Sequence, residues 1–344
     1  MRLEAFAARS RSVLLAVSTL AMSGAGVALA QDSGGASPLD NAAPSAPAAP
    51  AHPTPALLVQ HAEKGLLLGI TAAGDRLVAV GGNGVIVISD DGTTWTQVAS
   101  PVDIALTAVS FADAQQGWAV GHDAVILHTA DGGKTWKMQN FQPDLNAPLF
   151  SVLALDAQHA VAVGAFGTVK STEDGGEHWN DVASDALSSD KLHLNAITKL
   201  ANGTLFIVGE HGLAATSQDG HEWHRLESPY EGSFFGTEPW GAQGAIAFGL
   251  RGNIYATADV NTVKWRKVEA NSTSSLFGGA ATADGKAVLA GNDGTLVAVN
   301  DAGAARKLSI AAQGQGQAGT YAALIGSRGA LVVVGDGGVT KITP

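Results

Sequence analysis

The chain has 344 residues, no cysteine and a formal net charge of −11, from 20 basic and 31 acidic residues. The acidic balance disfavours nucleic acids and anionic lipid surfaces as partners, because both select basic patches. The lack of cysteine excludes disulfides, so the folded part must be stable by packing alone.

The first 30 residues have the pattern of a secretory signal peptide. Arg2, Arg9 and Arg11 form a positive n-region, residues 13–20 are apolar, and residues 28–30 read Ala-Leu-Ala, a small-x-small cleavage site. We expect export and cleavage after Ala30, with no direct membrane insertion afterwards. The alternative is an uncleaved anchor over residues 12–30. Without residues 1–30 the chain carries 17 basic and 30 acidic residues, a net charge of −13.

Residues 31–56 are rich in alanine, proline, serine and glycine. This composition cannot bury a core, which predicts a disordered linker or a loose mature N-terminus. The remaining residues, 57–344, are sufficient for one large domain with its own core.

A short apolar run that ends in glycine recurs seven times along the domain. The anchor glycines, which recur about every 42 residues, are Gly81, Gly121, Gly164, Gly209, Gly249, Gly291 and Gly335. A turn, a second apolar run and usually an Asp/Gly turn follow each of them. A period of roughly 40 to 50 residues built from short strands is typical of propeller blades. The sequence therefore predicts an all-β fold, a seven-bladed β-propeller of four-stranded antiparallel blades.

Apolar residues at two fixed distances before the anchor glycine are predicted to form the core between blades. The positions 14 or 15 residues before it are Leu67, Leu106, Phe150, Leu194, Phe235, Phe277 and Tyr321. The positions three residues before it are Val78, Trp118, Val161, Phe206, Ile246, Val288 and Val332.

The seventh repeat ends soon after its third strand. Residues 56–61, Ala-Leu-Leu-Val-Gln-His, precede the first repeat and could form a spare strand. We expect this N-terminal strand to complete blade 7, which would close the ring and cover its exposed edges.

The turn between the third and fourth strands carries an S/T-x-D-x-G-x-T-W box, complete at residues 129–136 and degraded elsewhere. The Asp carboxylate can accept N–H bonds within its own turn, glycine supplies positive φ, and tryptophan packs across the sheet. Each loop offers too few oxygens for calcium, so no metal and no cofactor is predicted. The aspartates interpreted as structural are Asp91, Asp131, Asp174, Asp219 and Asp259.

These boxes resemble the Asp-box, or BNR, repeats of sialidases. The fuller pattern G-W-A-V-G…I-L-x-T-x-D-G-G-K-T-W, at residues 117–136, resembles the photosystem II stability and assembly factor family. The resemblance covers residues 57–344 and implies a non-enzymatic assembly or accessory factor for a membrane protein complex. Members in non-photosynthetic bacteria are periplasmic, and many are associated with resistance-nodulation-division transporters. The signal peptide looks bacterial, which favours this branch and a periplasmic location.

One feature of the family is not visible in this sequence. The phototroph factor is associated with an arginine-rich binding patch. The six arginines of the mature chain show no cluster along the sequence, and they are Arg76, Arg225, Arg251, Arg266, Arg306 and Arg328.

The alternative function is that of a BNR-type glycan-binding protein or a sialidase-like glycoside hydrolase. Sialidase chemistry needs an arginine triad, a Tyr/Glu pair and an Asp acid. The R-I-P segment that announces the first arginine is absent, so no catalytic residue is predicted. Sugar binding without cleavage stays open. His221 and His224 could ligate a metal, but a third ligand is not evident.

If the disc binds a partner, we expect the face where the second-to-third strand turns meet the blade-to-blade connectors. The turn residues differ in every repeat, which suits a specific binding surface or simply free drift of turns. Aromatic residues of the connectors are further candidates. The candidate rim residues are Asn83, His122, Asp123, Phe166, Glu210, His211, Arg251, Asn292, Asp293, Asp336, Tyr230, Phe234 and Trp240.

Overall fold

The computed structural model describes residues 52–262, 264–282, 286–300, 302–308 and 319–342. The predicted signal peptide and residues 31–51 of the predicted linker lie outside the described residues. The chain divides into two units, Met1–Ala49 and Pro50–Pro344, and the described residues all belong to the second. No helix among these residues is long and apolar enough to cross a bilayer.

The described residues form 27 strands in seven antiparallel sheets, each a consecutive meander. Blades 1 to 3 contain β1 Leu67–Ala73, β2 Arg76–Gly81, β3 Ile86–Ser89, β4 Thr96–Val98, β5 Leu106–Phe111, β6 Gly117–Gly121, β7 Ile126–Thr129, β8 Lys137–Asn140, β9 Leu149–Ala154, β10 Ala160–Gly164, β11 Val169–Thr172 and β12 Asn180–Asp181.

Blades 4 to 7 follow the same pattern. They contain β13 Leu194–Lys199, β14 Leu205–Gly209, β15 Ala214–Ser217, β16 His224–Arg225, β17 Phe234–Trp240, β18 Gly244–Gly249, β19 Ile254–Thr257, β20 Arg266–Lys267, β21 Leu276–Ala281, β22 Ala287–Gly291, β23 Leu296–Val299, β24 Ala305–Lys307, β25 Tyr321–Ser327, β26 Ala330–Gly335 and β27 Gly338–Ile342. The described residues also contain nine single-turn 3-10 helices and one α-helix, α1 Asp185–Ser188, in the connector between blades 3 and 4. The predicted seven-bladed propeller is confirmed.

The second strand of each blade is the most buried, because it has a neighbour on both sides and a blade on both faces. All five residues of β6 are buried, for example. Trp118 of β6 is fully buried and packs against Leu149 and Val152 of blade 3. All seven residues predicted three positions before the anchor glycine are buried, so that part of the core prediction is confirmed.

The predicted core positions 14 or 15 residues before the anchor glycine are wrong in three blades. The first residue of the inner strand pairs with the anchor glycine, and the residue after it is a β-bulge in all seven blades. Phe150, Phe235 and Phe277 are these bulge residues, and they are only half-buried. The core positions belong to the preceding residues, Leu149, Phe234 and Leu276. A shift of one residue along a strand moves a side chain to the other face.

The predicted closing strand is also wrong. Residues 56–61 run beside β4 of blade 1, and blade 7 has three strands. The backbone of Val59 donates to Gln97 Oε1 at 2.8 Å, and Gln97 Nε2 donates to the carbonyl of Leu57 at 2.9 Å. The side-chain amide of Gln97, rather than a β-ladder, thus provides the hydrogen-bond partners of the Val59 N–H group and the Leu57 carbonyl.

Apolar contact joins the two ends of the ring instead. Leu67 and Ala79 of blade 1 pack with Val334 of blade 7, together with Ala62. Lys341 Nζ of β27 also donates to Thr93 Oγ1 at 3.2 Å. Inter-blade packing closes the disc here, as it does between the other blades.

Candidate functional site: the turn rim

The turns between the second and third strands, with the connectors that enter the inner strands, lie on one face of the disc, which we call the turn rim. The turn is tied to its connector in every blade by one backbone hydrogen bond, such as Gly82 N to Leu66 O at 3.0 Å or His122 N to Ala105 O at 3.1 Å. The equivalent bond in blade 7 joins Asp336 N to Thr320 O at 3.2 Å.

The anchor glycine is needed because this connector passes directly over it. A Cβ added to Gly121 would lie 2.1 Å from the carbonyl oxygen of Ala105. At Gly209 the corresponding distance, to the oxygen of His193, is 2.2 Å. The most regular feature of the sequence is therefore explained by a close backbone approach.

Besides Ala124 of blade 2, the middle residue of each turn in the first six blades is a non-glycine residue in the left-handed region. Their φ values lie between 49° and 57°. These residues are Asn83, Asp123, Phe166, His211, Arg251 and Asp293. The rim of these six blades therefore presents one backbone geometry with five different side-chain types, aspartate occurring twice.

The structure places the predicted turn residues on this rim. Most are exposed, and Asp123, Glu210 and Asn292 are half-buried. The four carboxylates of the turns, against the single arginine Arg251, give the turns a net charge of −3 with histidines neutral. These carboxylates belong to Asp123, Glu210, Asp293 and Asp336.

Two of the three predicted connector aromatics are not rim anchors. Phe234 is 2% exposed, because it is the first inner-strand residue of blade 5 and fills the core. Trp240 ends β17 at the opposite face and packs with the core of blades 5 and 6. Tyr230 is half-buried and packs on Phe234, with ring centroids 5.1 Å apart, and its hydroxyl donates to Leu250 O at 3.2 Å. Tyr230 thus holds the connector between blades 4 and 5 against the turn of blade 5.

A compact cluster of Phe166, Phe150, His193 and Glu210 lies on the rim where blades 3 and 4 meet. The His193 ring lies 5.0 Å from that of Phe166 and 5.6 Å from that of Phe150. Phe166 N donates to His193 Nδ1 at 3.2 Å. Phe166 and Glu210 were predicted as rim residues, but His193 and Phe150 were not. The signal that could have identified His193 is its position directly before the inner strand, where the connector meets the turn.

The mouth of the ring is held by polar bonds from one inner strand to the next. Thr107 Oγ1 donates to Leu149 O and Asn195 Nδ2 to Phe234 O, both at 2.7 Å. Farther along the inner strand of blade 5, β17, Glu238 Oε2 accepts a hydrogen bond of 3.3 Å from Ala281 N of β21. Although solvent reaches part of this residue, its carboxylate lies against β21, and burial raises its pKa to about 7. These hydrogen bonds join the inner strands of adjacent blades around the mouth of the ring.

The Asp boxes lie on the opposite face, and their carboxylates bond within their own turns. Asp131 Oδ1 accepts from the backbone N–H groups of Lys134 and Thr135, and its Oδ2 accepts from Thr135 Oγ1 at 2.7 Å. The backbone N–H groups of Thr94 and Thr93 likewise hold the pKa of Asp91 far below its usual range. Asp174 and Asp219 make the same kind of bonds, whereas the Asp259 carboxylate accepts one bond from the described residues of its turn, from Asn261 N at 2.9 Å.

A cleft of about 410 Å³ on this opposite face lies between blades 3 and 4, lined in part by His159, Asp219 and His221. His221 Nε2 lies 3.1 Å from Glu173 Oε1. Among the described residues, no three His, Cys, Asp or Glu side chains are grouped so that they could hold a metal ion.

The arginines are distributed over five blades. Arg76 pairs with Asp90 at 2.8 Å in blade 1, and Arg225 of blade 4 pairs with Asp190 at 2.5 Å. Of the two in blade 5, Arg251 lies on the rim, whereas Arg266 donates to Gly303 O next to the turn between β23 and β24. The fold does not assemble these into one patch.

Comparison with known proteins decides the family. The family model described as Photosynthesis system II assembly factor YCF48 matches residues 87–276 and 144–340, which together are more than half of the chain. The chain belongs to this family.

Curated YCF48 relatives share part of their length with the chain. The photosystem II assembly protein Ycf48 of Thermosynechococcus vestitus is 30% identical over 207 residues, which are 60% of this chain and 59% of that protein. The chloroplastic photosystem II stability/assembly factor HCF136 of Guillardia theta is 43% identical over 51 residues, 14% of this chain and 13% of that protein. The match to the cyanobacterial relative thus spans less than two thirds of its length.

Solved YCF48 structures have the same fold. A structure of YCF48 bound to D1 peptide superposes with a TM-score of 0.66 at 18% identity, covering 85% of this chain and 99% of that one. Virginiamycin B lyase from Staphylococcus aureus reaches 0.68 at 11% identity, covering 84% and 98%. At such identities the likeness shows the fold alone, which assembly factors and enzymes share.

Proposed function

We propose that this chain is a non-enzymatic binding platform that assists a membrane protein complex, and that the turn rim is its binding face. The observation that carries the proposal is the uniform turn backbone of the first six blades, which presents five different side-chain types. A repeat stays uniform where packing demands it, and a binding surface is where its members diverge. Membership of the assembly-factor family and the D1 peptide bound by the solved YCF48 relative support a protein partner.

We further propose that the protein acts in the periplasm after export by residues 1–30, at an inner-membrane complex. A transporter of the resistance-nodulation-division type is the first complex to test, because the sequence resembles the bacterial branch of the family.

Site-specific photocrosslinking in intact cells tests this proposal. A photoreactive phenylalanine analogue at Asn83 or His211 would sample the rim, and the same group at Glu177 would sample the Asp-box face; all three residues are exposed. We expect adducts with an integral membrane protein from the rim positions and not from position 177. Adducts only from position 177, or none from any position, would count against the proposal. Retention on a glycan array without any protein adduct would favour the glycan-binding alternative.

A further inference from the structure

Phe166 has a backbone conformation that is unfavourable for phenylalanine, and its side chain lies outside the core. Its φ is 57°, in the left-handed region, where a side chain other than asparagine, aspartate or glycine costs about 1–2 kcal/mol. Its side chain is 51% exposed. The matched positions of the other five blades carry polar residues, including Asn83 and Asp123. His211 and Arg251 share this backbone conformation, so the feature particular to blade 3 is the exposed aromatic ring.

The surrounding residues hold Phe166 in one arrangement. Its N–H donates to His193 Nδ1, so the ring of His193 is oriented edge-on against it, with an interplanar angle of 76°. His193 N donates to Glu210 Oε2 at 2.9 Å, and Glu210 N donates back to His193 O at 3.0 Å. The exposed aromatic ring and the carboxylate therefore belong to one preorganised unit spanning two blades.

The chemistry of this unit fits a cation. The face of an aromatic ring such as that of Phe166 attracts a guanidinium or ammonium group, and the Glu210 carboxylate, which is bonded to His193, can form a charge-assisted hydrogen bond with that group. Among the described residues, the ion pair that involves Glu210 is the one with His193, at 3.8 Å, and the Glu210 side chain is 26% exposed. The net negative charge of the turns adds a field that favours a basic partner.

We propose that Phe166, His193 and Glu210 form a socket for an arginine or lysine side chain of a partner protein. The proposal rests on the turn rim being the binding face, and it names the chemistry of the partner: a basic segment rather than an acidic one. Arginine fits better than lysine, because its planar guanidinium can stack on Phe166 and bond to Glu210 at the same time.

Selection from a random peptide library tests the partner chemistry directly. Phage-displayed dodecapeptides would be selected on the immobilised, purified propeller, and the enriched peptides would be synthesised with a fluorophore and measured by anisotropy. We expect enrichment of arginine over the input library. Absence of enrichment, or enrichment of acidic peptides, would overturn the proposal.

Two variants then locate the binding. Phe166→Asn introduces the residue that blade 1 carries at this turn position, so the Tm should be unchanged or raised while peptide affinity falls about tenfold or more. Glu210→Gln keeps an acceptor for His193 N but removes the charge, so affinity should fall several-fold and depend less on salt. Glu177→Gln, which removes an exposed carboxylate from the Asp-box face, is the control and should bind as the wild type. Full affinity in either Phe166→Asn or Glu210→Gln would overturn the proposed socket.

The crosslinking experiment separates this socket from the proposed function. A membrane-protein adduct from the rim that persists unchanged with Phe166→Asn would keep the rim as the binding face and overturn the socket. No adduct from any rim position would overturn the proposed function, whereas peptide affinity lost in both socket variants would still support a basic ligand.

Discussion

Glu238 Oε2 accepts a hydrogen bond of 3.3 Å from the backbone nitrogen of Ala281, so a carboxyl group of blade 5 caps the free edge of the inner strand of blade 6. The bridge between blades 2 and 3 uses a neutral group instead, Ser110 Oγ, which accepts from Ala154 N at 3.1 Å. An ionisable group at this interface makes stability depend on pH.

Stability should fall as pH rises between about 4.5, the ordinary pKa of glutamate, and about 7, the raised pKa of Glu238. In that window the unfolded chain releases the proton while the folded chain retains it, so folding is favoured at the lower pH. Glu238→Gln keeps an acceptor for Ala281 N and cannot ionise. Urea unfolding at pH 4.5, 6 and 8 should show this variant more stable than the wild type at pH 8, by about 2 kcal/mol. The two should be similar at pH 4.5, and an equal difference at every pH would contradict the assignment.

Asp131→Ala should destabilise the propeller by about 1–2 kcal/mol, because the N–H groups of its turn lose their acceptor. The Asp259 carboxylate accepts a single bond from the described residues of its own turn, so Asp259→Ala serves as the matched comparison and should cost less. Thermal unfolding of the purified variants measures both. Equal losses would mean that the carboxylate bonds of the box contribute little.

Gly121→Ala should prevent stable folding or lower stability by more than about 2 kcal/mol, because its Cβ would lie 2.1 Å from the carbonyl oxygen of Ala105. Gly326→Ala is the control, since a Cβ there meets no atom within 4 Å. Soluble yield and melting temperature report the difference. A Gly121→Ala protein as stable as the control would refute the close-approach explanation for the repeated glycine.

Removal of residues 1–60 should change the melting temperature little, because the segment beside β4 buries little: the Leu57 side chain is 81% exposed. Removal of residues 1–65 should lower it clearly, since Ala62, 5% exposed, packs between blades 1 and 7. Both forms would be produced without export and compared by calorimetry. A large loss already on removal of residues 1–60 would restore a closing role for that segment.

The mature protein should begin at or near Gln31 and occur in the periplasmic fraction, as the sequence of residues 1–30 predicts. N-terminal sequencing of protein from fractionated cells measures this. A chain that retains Met1 in the cytosolic fraction would refute the prediction.

The sequence alone determined the number of blades and the location of the Asp boxes, because a repeat must satisfy the same packing and turn geometry each time. Gly121 and Asp131 could be interpreted locally: one allows a close approach, and the other caps its own turn. The face that carries the turn residues also followed from antiparallel alternation.

Only the tertiary structure decided which residues meet across blades. A bulge in each inner strand moved Phe150 out of the core and Leu149 into it, and Phe234 proved to be buried rather than a rim anchor. His193 joined Phe166 because the connector that enters blade 4 meets the turn of blade 3, although the two residues lie 27 positions apart in sequence. Contacts of this kind depend on strand register and on the placement of the blades. A shift of one residue in strand register moves a core side chain to the surface and a surface side chain to the core.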